Sequence, residues 1–375
     1  MSSLVPLLRA EIERSGPMPF SRFMERALYD PDHGFYAGGR AVVGRRGDFV
    51  TSVSVGPLFG RLLATQFEEM WRLLDRPVVF DVVEQGADAG DFAHDLLSAA
   101  RRFPEFVAAL RYKIIEPLAA NLERQRARLE AFEGRVMWYE SPERLPRFTG
   151  VHFSNELVDA LPVCAVVYRE GGWRERCVTV SGSGFAWTDR PLTDPQALRL
   201  LEAAPRIEGY CTEVNPGASQ WIASVAARLE RGYVLIADYG FSRADYYLPD
   251  RIEGTLTAYR RQRRIADVLA APGEQDLTAH VDFTALAEAG QAHGLEVAGF
   301  TDQHHFLAAL GKRVFPDITD PADLTPERQK DLRSFAMLIH PSLMGMGFQY
   351  LAFAKAAPPA LCGYELAASG AARLG

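Results

Sequence analysis

Acidic residues and glycines follow short apolar segments of the chain, which is typical of the ligand-binding edge of a parallel sheet. Glu84 ends one such segment, and Gly86 and Gly90 follow it before a helix-like stretch. Glycines let the backbone approach a ligand closely, and N–H groups at a helix start can bind a carboxylate or a phosphate. Glu116 ends the next segment, where an acidic side chain can accept hydrogen bonds from both hydroxyls of a ribose. The pattern favours a cofactor that contains adenosine, either a dinucleotide or S-adenosylmethionine (SAM), although a turn that binds nothing can contain the same glycines.

A second polar group follows a later apolar segment and consists of Asn155, Glu156 and Asp159. Two carboxylates can bind a guanidinium through paired hydrogen bonds and hold its nitrogen toward an electrophile. The same residue types also occur where a helix begins, as an N-cap followed by acids in the first turn. Both interpretations are open at this point.

Other reaction classes lack their characteristic motifs. The eight histidines have no H-E-x-x-H spacing and the four cysteines have no C-x-x-C spacing, so we expect no structural metal. The chain also has neither a G-x-S-x-G elbow nor a P-loop, which disfavours hydrolase and NTPase functions.

The elements that must position these residues are short apolar segments that alternate with helix-like sequence. Such alternation is typical of an α/β protein with a buried parallel sheet. Two late apolar segments would complete seven strands. The predicted strands are 77–84, 111–116, 135–140, 150–156, 233–240, 295–300 and 347–354.

The remaining segments suggest how the chain is organised into domains. Residues 1–76 begin with a helical stretch and become loop-rich, which predicts an arm that closes the cofactor pocket of a domain over residues 77–375. Residues 163–208 alternate apolar and polar residues between glycine-containing turns, as in an antiparallel meander inserted after the fourth strand. The polar segment 241–283 predicts a second insertion near the ligand edge.

Composition limits the class of protein and of partner. The 375 residues are 48% hydrophobic and 24% charged, as in an ordinary folded domain, and the net charge of −7 disfavours a nucleic-acid partner. No apolar run approaches the roughly 18 residues that cross a bilayer, so we expect no membrane insertion. Glu11 and Glu13 lie where a signal peptide would be apolar or basic, and the scattered cysteines suit a reducing compartment. These features predict a cytoplasmic protein.

Several longer strings, taken together and in order, resemble the MidA-like family of SAM-dependent methyltransferases. That family includes the mitochondrial assembly factor for respiratory complex I. The similarity extends over most of the chain, from about Gly16 to Lys355. The most specific strings are FMERALYDPDHGFY, GDFVTS, NELVDALP and DLTAHVDF, which begin at Phe23, Gly47, Asn155 and Asp276.

The resemblance implies a class I methyltransferase fold that binds SAM. For the mitochondrial relatives it also implies methylation of an arginine side chain on a respiratory-complex subunit, hence a role in complex assembly. Glu156 and Asp159 would be the catalytic carboxylates that help the acceptor nitrogen lose its proton. The implied cofactor-binding residues are Asp48, Thr51, Glu84, Gly86, Gly90, Glu116 and Asn155, with Asp48 and Thr51 in the N-terminal arm.

The sequence departs from the family pattern at the expected pocket. Asp88 replaces a glycine of the turn and adds a negative charge, and residues 53–56 lack an expected carboxylate. These departures motivate an alternative, a catalytically silent binding or assembly module that keeps the fold. An NAD-dependent enzyme is a third interpretation, which the poor glycine pattern disfavours.

Overall fold

The computed structural model describes residues 3–37, 51–261, 263–315, 325–367 and 373–374. Predicted strand positions correspond to observed strands with shifts of a few residues at their ends. The α-helices, in chain order, are α1 (Leu4–Ser15), α2 (Phe20–Tyr29), α3 (Leu58–Leu73), α4 (Asp91–Ala100), α5 (Pro104–Ala109), α6 (Ala119–Arg128), α7 (Pro195–Leu200), α8 (Pro216–Arg228), α9 (Arg243–Tyr246), α10 (Phe283–Ala292), α11 (Gln303–Val314) and α12 (Pro326–Ile339).

The strands alternate with these helices in the middle of the chain and form longer all-β stretches elsewhere. In chain order they are β1 (Met18–Pro19), β2 (Phe80–Gln85), β3 (Leu110–Ile115), β4 (Val136–Tyr139), β5 (Phe148–Asn155), β6 (Cys164–Arg169), β7 (Gly172–Ser181), β8 (Gly184–Pro191), β9 (Cys211–Val214), β10 (Leu229–Phe241), β11 (Thr257–Arg260), β12 (Arg263–Ile265), β13 (Asp276–Thr278), β14 (Val281–Asp282), β15 (Glu296–Asp302) and β16 (Phe348–Lys355).

Contacts divide the chain into two compact units, and neither is continuous in sequence. The first comprises Met1–Phe49, Val158–Trp221 and Phe241–Leu286, and the second comprises Val50–Leu157, Ile222–Gly240 and Ala287–Gly375. This division differs from the boundary predicted at residues 76 and 77, because α3 belongs to the second unit. The role predicted for the arm in closing a pocket stays a prediction.

The second unit contains a large mixed sheet, which confirms the predicted α/β class. Seven of its strands are neighbours in the order β4-β3-β2-β5-β10-β16-β15. The pairs from β4 to β10 are parallel, while β16 is antiparallel to both β10 and β15. A core of aromatic and aliphatic side chains covers the sheet, and the rings of Phe92 in α4 and Phe153 in β5 are in tilted contact, with their centroids 4.6 Å apart.

Strand β5 lies between β2 and β10 and approaches β2 very closely at one position. A Cβ atom on Gly150 would lie 1.9 Å from the carbonyl oxygen of Asp81. A carbon atom that close to a backbone oxygen would be a severe steric clash, so this position requires glycine. The parallel register places Asp81 opposite Gly150 in this pair.

The first unit is built around antiparallel strands, as predicted for the inserted meander. Strands β6, β7 and β8 pair in sequence, and β1 and β9 extend the same sheet. A smaller sheet has the order β12-β11-β13. Helices α1 and α2 pack apolar side chains against both of these sheets. The ring centroids of Phe20 in α2 and Trp187 in β8 lie 5.0 Å apart in this core. Every helix in the described part of the chain is too short or too polar to span a bilayer.

Candidate cofactor site

The second unit brings three predicted residues to one edge of its parallel sheet. Strands β3, β2 and β5 are neighbours, and their registers pair Gln85 with both Ile115 and Ser154. Glu84, Glu116 and Asn155 therefore come from adjacent strands at the same, carboxyl end of the sheet. Ligands of doubly wound proteins bind at that end.

Glu84 is buried at the end of β2, with 4% of its surface exposed. Its Oε2 accepts a hydrogen bond of 2.7 Å from the hydroxyl of Tyr112. Burial raises the pKa of Glu84 to about 8, the Tyr112 hydrogen bond opposes this shift, and the nearby charges of Asp88 and Glu116 add to it. The carboxyl group is therefore protonated over much of the neutral range, unless a cation binds to it.

The raised pKa of Glu84 predicts that the ligand-free protein becomes less stable as the pH rises. A carboxyl group whose pKa is higher in the folded state stabilises that state fully below its unfolded pKa, and this stabilisation is lost as the pH rises through about 8. We expect the thermal midpoint to decrease as the pH rises from about 5 to about 8.5. Glu84→Gln should reduce the accompanying loss of unfolding free energy by on the order of 3 kcal/mol.

The check is a series of thermal denaturation curves across this pH range for the wild type and Glu84→Gln. The exposed Glu123 on α6 offers a matched control, since Glu123→Gln should leave the slope unchanged. Some slope should remain in Glu84→Gln, because burial also raises the pKa of Asp88 and of Glu116. An unaltered slope in Glu84→Gln would show that Glu84 is already ionised.

The turn between β2 and α4 has positive φ angles at both of its glycines, a conformation that glycine adopts easily. Gly86 and Gly90 have φ angles of +85° and +86°, and Gly90 immediately precedes α4. Asp88, between them, also lies in the left-handed region, with φ of +43°. The amide groups at the start of α4 follow this turn directly, as in sites that bind anionic groups at a helix N-terminus.

Glu116 follows β3 and is held by three donors. Its Oε1 accepts from the backbone N–H of Leu118 at 2.9 Å, while its Oε2 accepts from Gln125 Nε2 at 2.8 Å and Asn121 Nδ2 at 3.3 Å. Burial raises the pKa of Glu116, and these three hydrogen bonds counteract the shift. The carboxylate is fixed in orientation and keeps acceptor capacity for further donors.

Sequence reasoning did not assign roles to the side chains that hold Glu84 and Glu116. Tyr112 lies on β3, and Asn121 and Gln125 lie on α6. The spacing of Asn121 and Gln125 was a usable signal, because polar residues four apart share one helix face and both are buried on a largely exposed helix. Gln125 is fixed in turn by Trp138 of β4, whose Nε1 donates to Gln125 Oε1 at 3.0 Å.

Asn155 is the last residue of β5, Glu156 follows it, and the two side chains contact each other. Asn155 Nδ2 donates to Glu156 Oε1 at 3.0 Å, and the backbone N–H of Glu156 donates to the carbonyl of Ala237 at 3.0 Å. The Oδ1 atom of Asn155 is buried and has no hydrogen-bond partner among the described residues. Residues 156–163 form turns rather than a helix, so the interpretation of Asn155 and Glu156 as a helix start is wrong.

The structure gives less information about Asp48 and Thr51, the two predicted cofactor residues of the N-terminal arm. Asp48 lies outside the described residues. Thr51 is buried, and its Oγ1 accepts from the backbone N–H of Ser54 at 3.3 Å. The roles of Asp48 and Thr51 at the cofactor stay predictions.

Asp159 belongs to the first unit, whereas Glu156 belongs to the second. Asp159 is buried, and its carbonyl oxygen accepts a hydrogen bond of 2.9 Å from the backbone N–H of Ala279. Burial raises the pKa of Tyr29 and Tyr36, and the charges of Asp276 and Asp159 raise it further, so the Asp159 carboxylate lies near both phenols. The catalytic pairing of Glu156 with Asp159 stays a prediction.

Comparison with known proteins identifies the family of this chain. Residues 62–301, more than half of the chain, match the family described as "Putative S-adenosyl-L-methionine-dependent methyltransferase". A protein from Burkholderia thailandensis, crystallised with bound S-adenosyl-homocysteine (SAH), is 36% identical, with a TM-score of 0.88 over 98% of this chain and 95% of its own. A native structure from the same organism is 35% identical, with a TM-score of 0.86 and the same coverage.

Curated relatives carry a more specific name. The mitochondrial protein arginine methyltransferase NDUFAF7 of Homo sapiens is 28% identical over 93% of this chain and 83% of its own length. Its Drosophila melanogaster homolog is 29% identical over 93% and 84%. Both are named as mitochondrial proteins, which contradicts the cytoplasmic location predicted from the sequence. The family match and the bacterial structures together show that this chain belongs to the SAM-dependent methyltransferases.

Proposed function

We propose that this protein transfers the methyl group of SAM to the side chain of an arginine in a protein. The observation that carries the proposal is the occurrence of Glu84, the glycine turn and Glu116 together at the carboxyl ends of the neighbouring parallel strands β2 and β3. Family membership supports the use of SAM. The names of the fly and human relatives support a protein arginine as the acceptor.

The residues of this edge fit the two ends of the cofactor. Glu116 would accept hydrogen bonds from the ribose hydroxyls, since its oxygens keep free acceptor capacity and its orientation is fixed. Glu84 would face the amino group of the methionine part, whose positive charge favours the ionised carboxylate. The backbone at Gly86 and Gly90 would approach the ligand, and the buried Oδ1 of Asn155 is an acceptor that a ligand donor would satisfy.

When bound, SAM supplies a methyl group on a positively charged sulfur that is open to in-line attack. The protein must then align the acceptor nitrogen and help it lose a proton, because a protonated guanidinium is a poor nucleophile. Glu156 would bind the guanidinium, as its carboxylate is held by Asn155 at the end of β5. Asp159 is the second carboxylate proposed for this role. The acceptor protein would be a subunit of a respiratory complex.

A two-part assay tests this function. Calorimetry with SAH measures cofactor binding, and transfer of radiolabelled methyl groups to a protein extract, followed by acid hydrolysis, identifies the methylated amino acid. We expect SAH binding and label on methylarginine. Glu156→Gln should reduce transfer at least tenfold while leaving SAH affinity within about threefold, because it removes a charged partner of the acceptor only.

The exposed Glu133 provides the control, since Glu133→Gln should change neither quantity. Label on a different amino acid would contradict the arginine assignment. Equal loss of SAH affinity and transfer in Glu156→Gln would place Glu156 at the cofactor instead.

The second candidate function is a catalytically silent module, and Asp88 in the glycine turn is the observation that favours it. The same calorimetric titration separates the two functions. A folded wild-type protein that fails to bind SAH at millimolar concentration would support the silent module and contradict the enzyme.

A further inference from the structure

A carboxylate occupies the middle of the glycine turn at the candidate cofactor site. Asp88 adopts φ of +43°, a region that costs energy for residues with a side chain but that aspartate tolerates better than most. The turn thus keeps a glycine-like backbone and gains a negative charge. That charge lies close enough to Glu84 and Glu116 to raise the pKa of both carboxyl groups. Three acidic side chains at one edge disfavour any ligand that has a carboxylate of its own.

Arg124 on α6 supplies a positive charge at this turn. Its Nη2 lies 3.4 Å from Oδ1 of Asp88 and also donates to Oδ1 of Asn121. The side chains of Arg124 and Asp88 are 37% and 34% exposed, so solvent weakens their attraction and the pair contributes little to folding stability. Arg124 still offsets the negative charge of Asp88 that a ligand would meet, whether or not the pair stabilises the fold.

Helix α6 connects Asp88 to Glu116 by two routes. Through side chains, Arg124 contacts Asp88 and Asn121, and Asn121 donates to Glu116. In the second route, the side-chain amide of Gln125 donates from Nε2 both to the backbone carbonyl of Asp88 at 2.9 Å and to the carboxylate of Glu116 at 2.8 Å. Residues 121, 124 and 125 share one face of the helix, so a single face holds the turn and the acidic residue together.

We propose that Arg124 is a positioning residue that neutralises Asp88 and holds its carboxylate on the α6 side of the turn, so that the turn can accept the amino-acid end of the cofactor. This inference rests on the proposed function, since it concerns the same SAM site. Removing Arg124 leaves a bare negative charge beside Glu84 and Glu116. Removing the Asp88 charge makes Arg124 unnecessary.

A double-mutant cycle tests the inference by calorimetric titration with SAH. The variants are Arg124→Gln, Asp88→Asn and the two combined; asparagine keeps the shape of aspartate and its tolerance for positive φ. We expect Arg124→Gln to weaken SAH binding about tenfold, Asp88→Asn to bind within about threefold of the wild type, and the double variant to bind like Asp88→Asn. Arg124→Lys, which keeps the charge, should retain most of the affinity.

Controls and contrary outcomes are distinct. The control variant is Arg102→Gln, which replaces an exposed arginine and should leave SAH binding unchanged. Circular dichroism checks that each variant is folded. A double variant as weak as Arg124→Gln would overturn the inference, because Arg124 would then act on the cofactor directly. Wild-type affinity in Arg124→Gln would also overturn it. Failure of the wild type to bind SAH would contradict the proposed function itself.

Discussion

Replacing Gly150 with alanine is expected to prevent the sheet of the second unit from forming. The new Cβ would lie 1.9 Å from the carbonyl oxygen of Asp81, and the conflict is with backbone, which no change of rotamer can relieve. Strand β5 is paired on both sides, with β2 and β10, so it cannot shift without breaking one pairing. The expected cost exceeds about 4 kcal/mol, which is a large part of the stability of an ordinary domain.

Soluble yield and thermal denaturation followed by circular dichroism measure this effect. Gly172, which begins β7, has no atom within 4 Å of an added Cβ, and Gly172→Ala should change the stability by less than about 0.5 kcal/mol. A Gly150→Ala protein that melts within a few degrees of the wild type would mean that β2 and β5 are farther apart than described.

Replacing Glu116 with alanine is expected to lower the affinity for SAH at least about a hundredfold. Hydrogen bonds to a charged group contribute about 1.5–3 kcal/mol each, and two ribose hydroxyls would lose such an acceptor. The substitution also leaves the amides of Asn121 and Gln125 without their acceptor, which loosens the edge that remains. Calorimetric titration of the folded variant measures the change.

Two companion variants make the result interpretable. Glu123→Ala removes an exposed carboxylate from α6, the helix that carries Asn121 and Gln125, and should bind SAH like the wild type. Glu116→Asp keeps the charge but shortens the reach, and we expect an intermediate affinity. Unchanged binding by a folded Glu116→Ala protein would exclude the ribose contact.

The sheet was predictable because burial selects its composition. Most residues of strands β2, β3, β5 and β10 are buried, so these strands are rich in apolar residues, and a sequence displays such enrichment directly. The antiparallel direction of β16 was not predictable in this way, because a buried strand has the same composition in either direction. The two compact units could not be derived from the sequence, because each is assembled from segments that are distant along the chain.

For the candidate site, the sequence predicted only residues that follow the ends of strands, and their binding of a cofactor stays a prediction. Glu84 and Glu116 could be proposed because they close apolar segments, and the sheet order brings such positions together. Spacing indicates that Asn121 and Gln125 share one face of α6, but the strand register and the rotation of that helix decide which groups they contact. The contacts of Tyr112 with Glu84 and of Gln125 with Glu116 therefore required the structure. Glu156 and Asp159 are three positions apart but belong to different units, which local sequence does not reveal.

The indole of Trp138 determines which way the Gln125 amide points. Because Trp138 Nε1 occupies Gln125 Oε1, the amide nitrogen must face Glu116 and the carbonyl of Asp88. One glutamine thus fixes the separation of the two ends of the site before any nucleoside arrives. A nucleoside bound at Glu116, as proposed, would therefore lose less of its binding free energy to ordering of the protein.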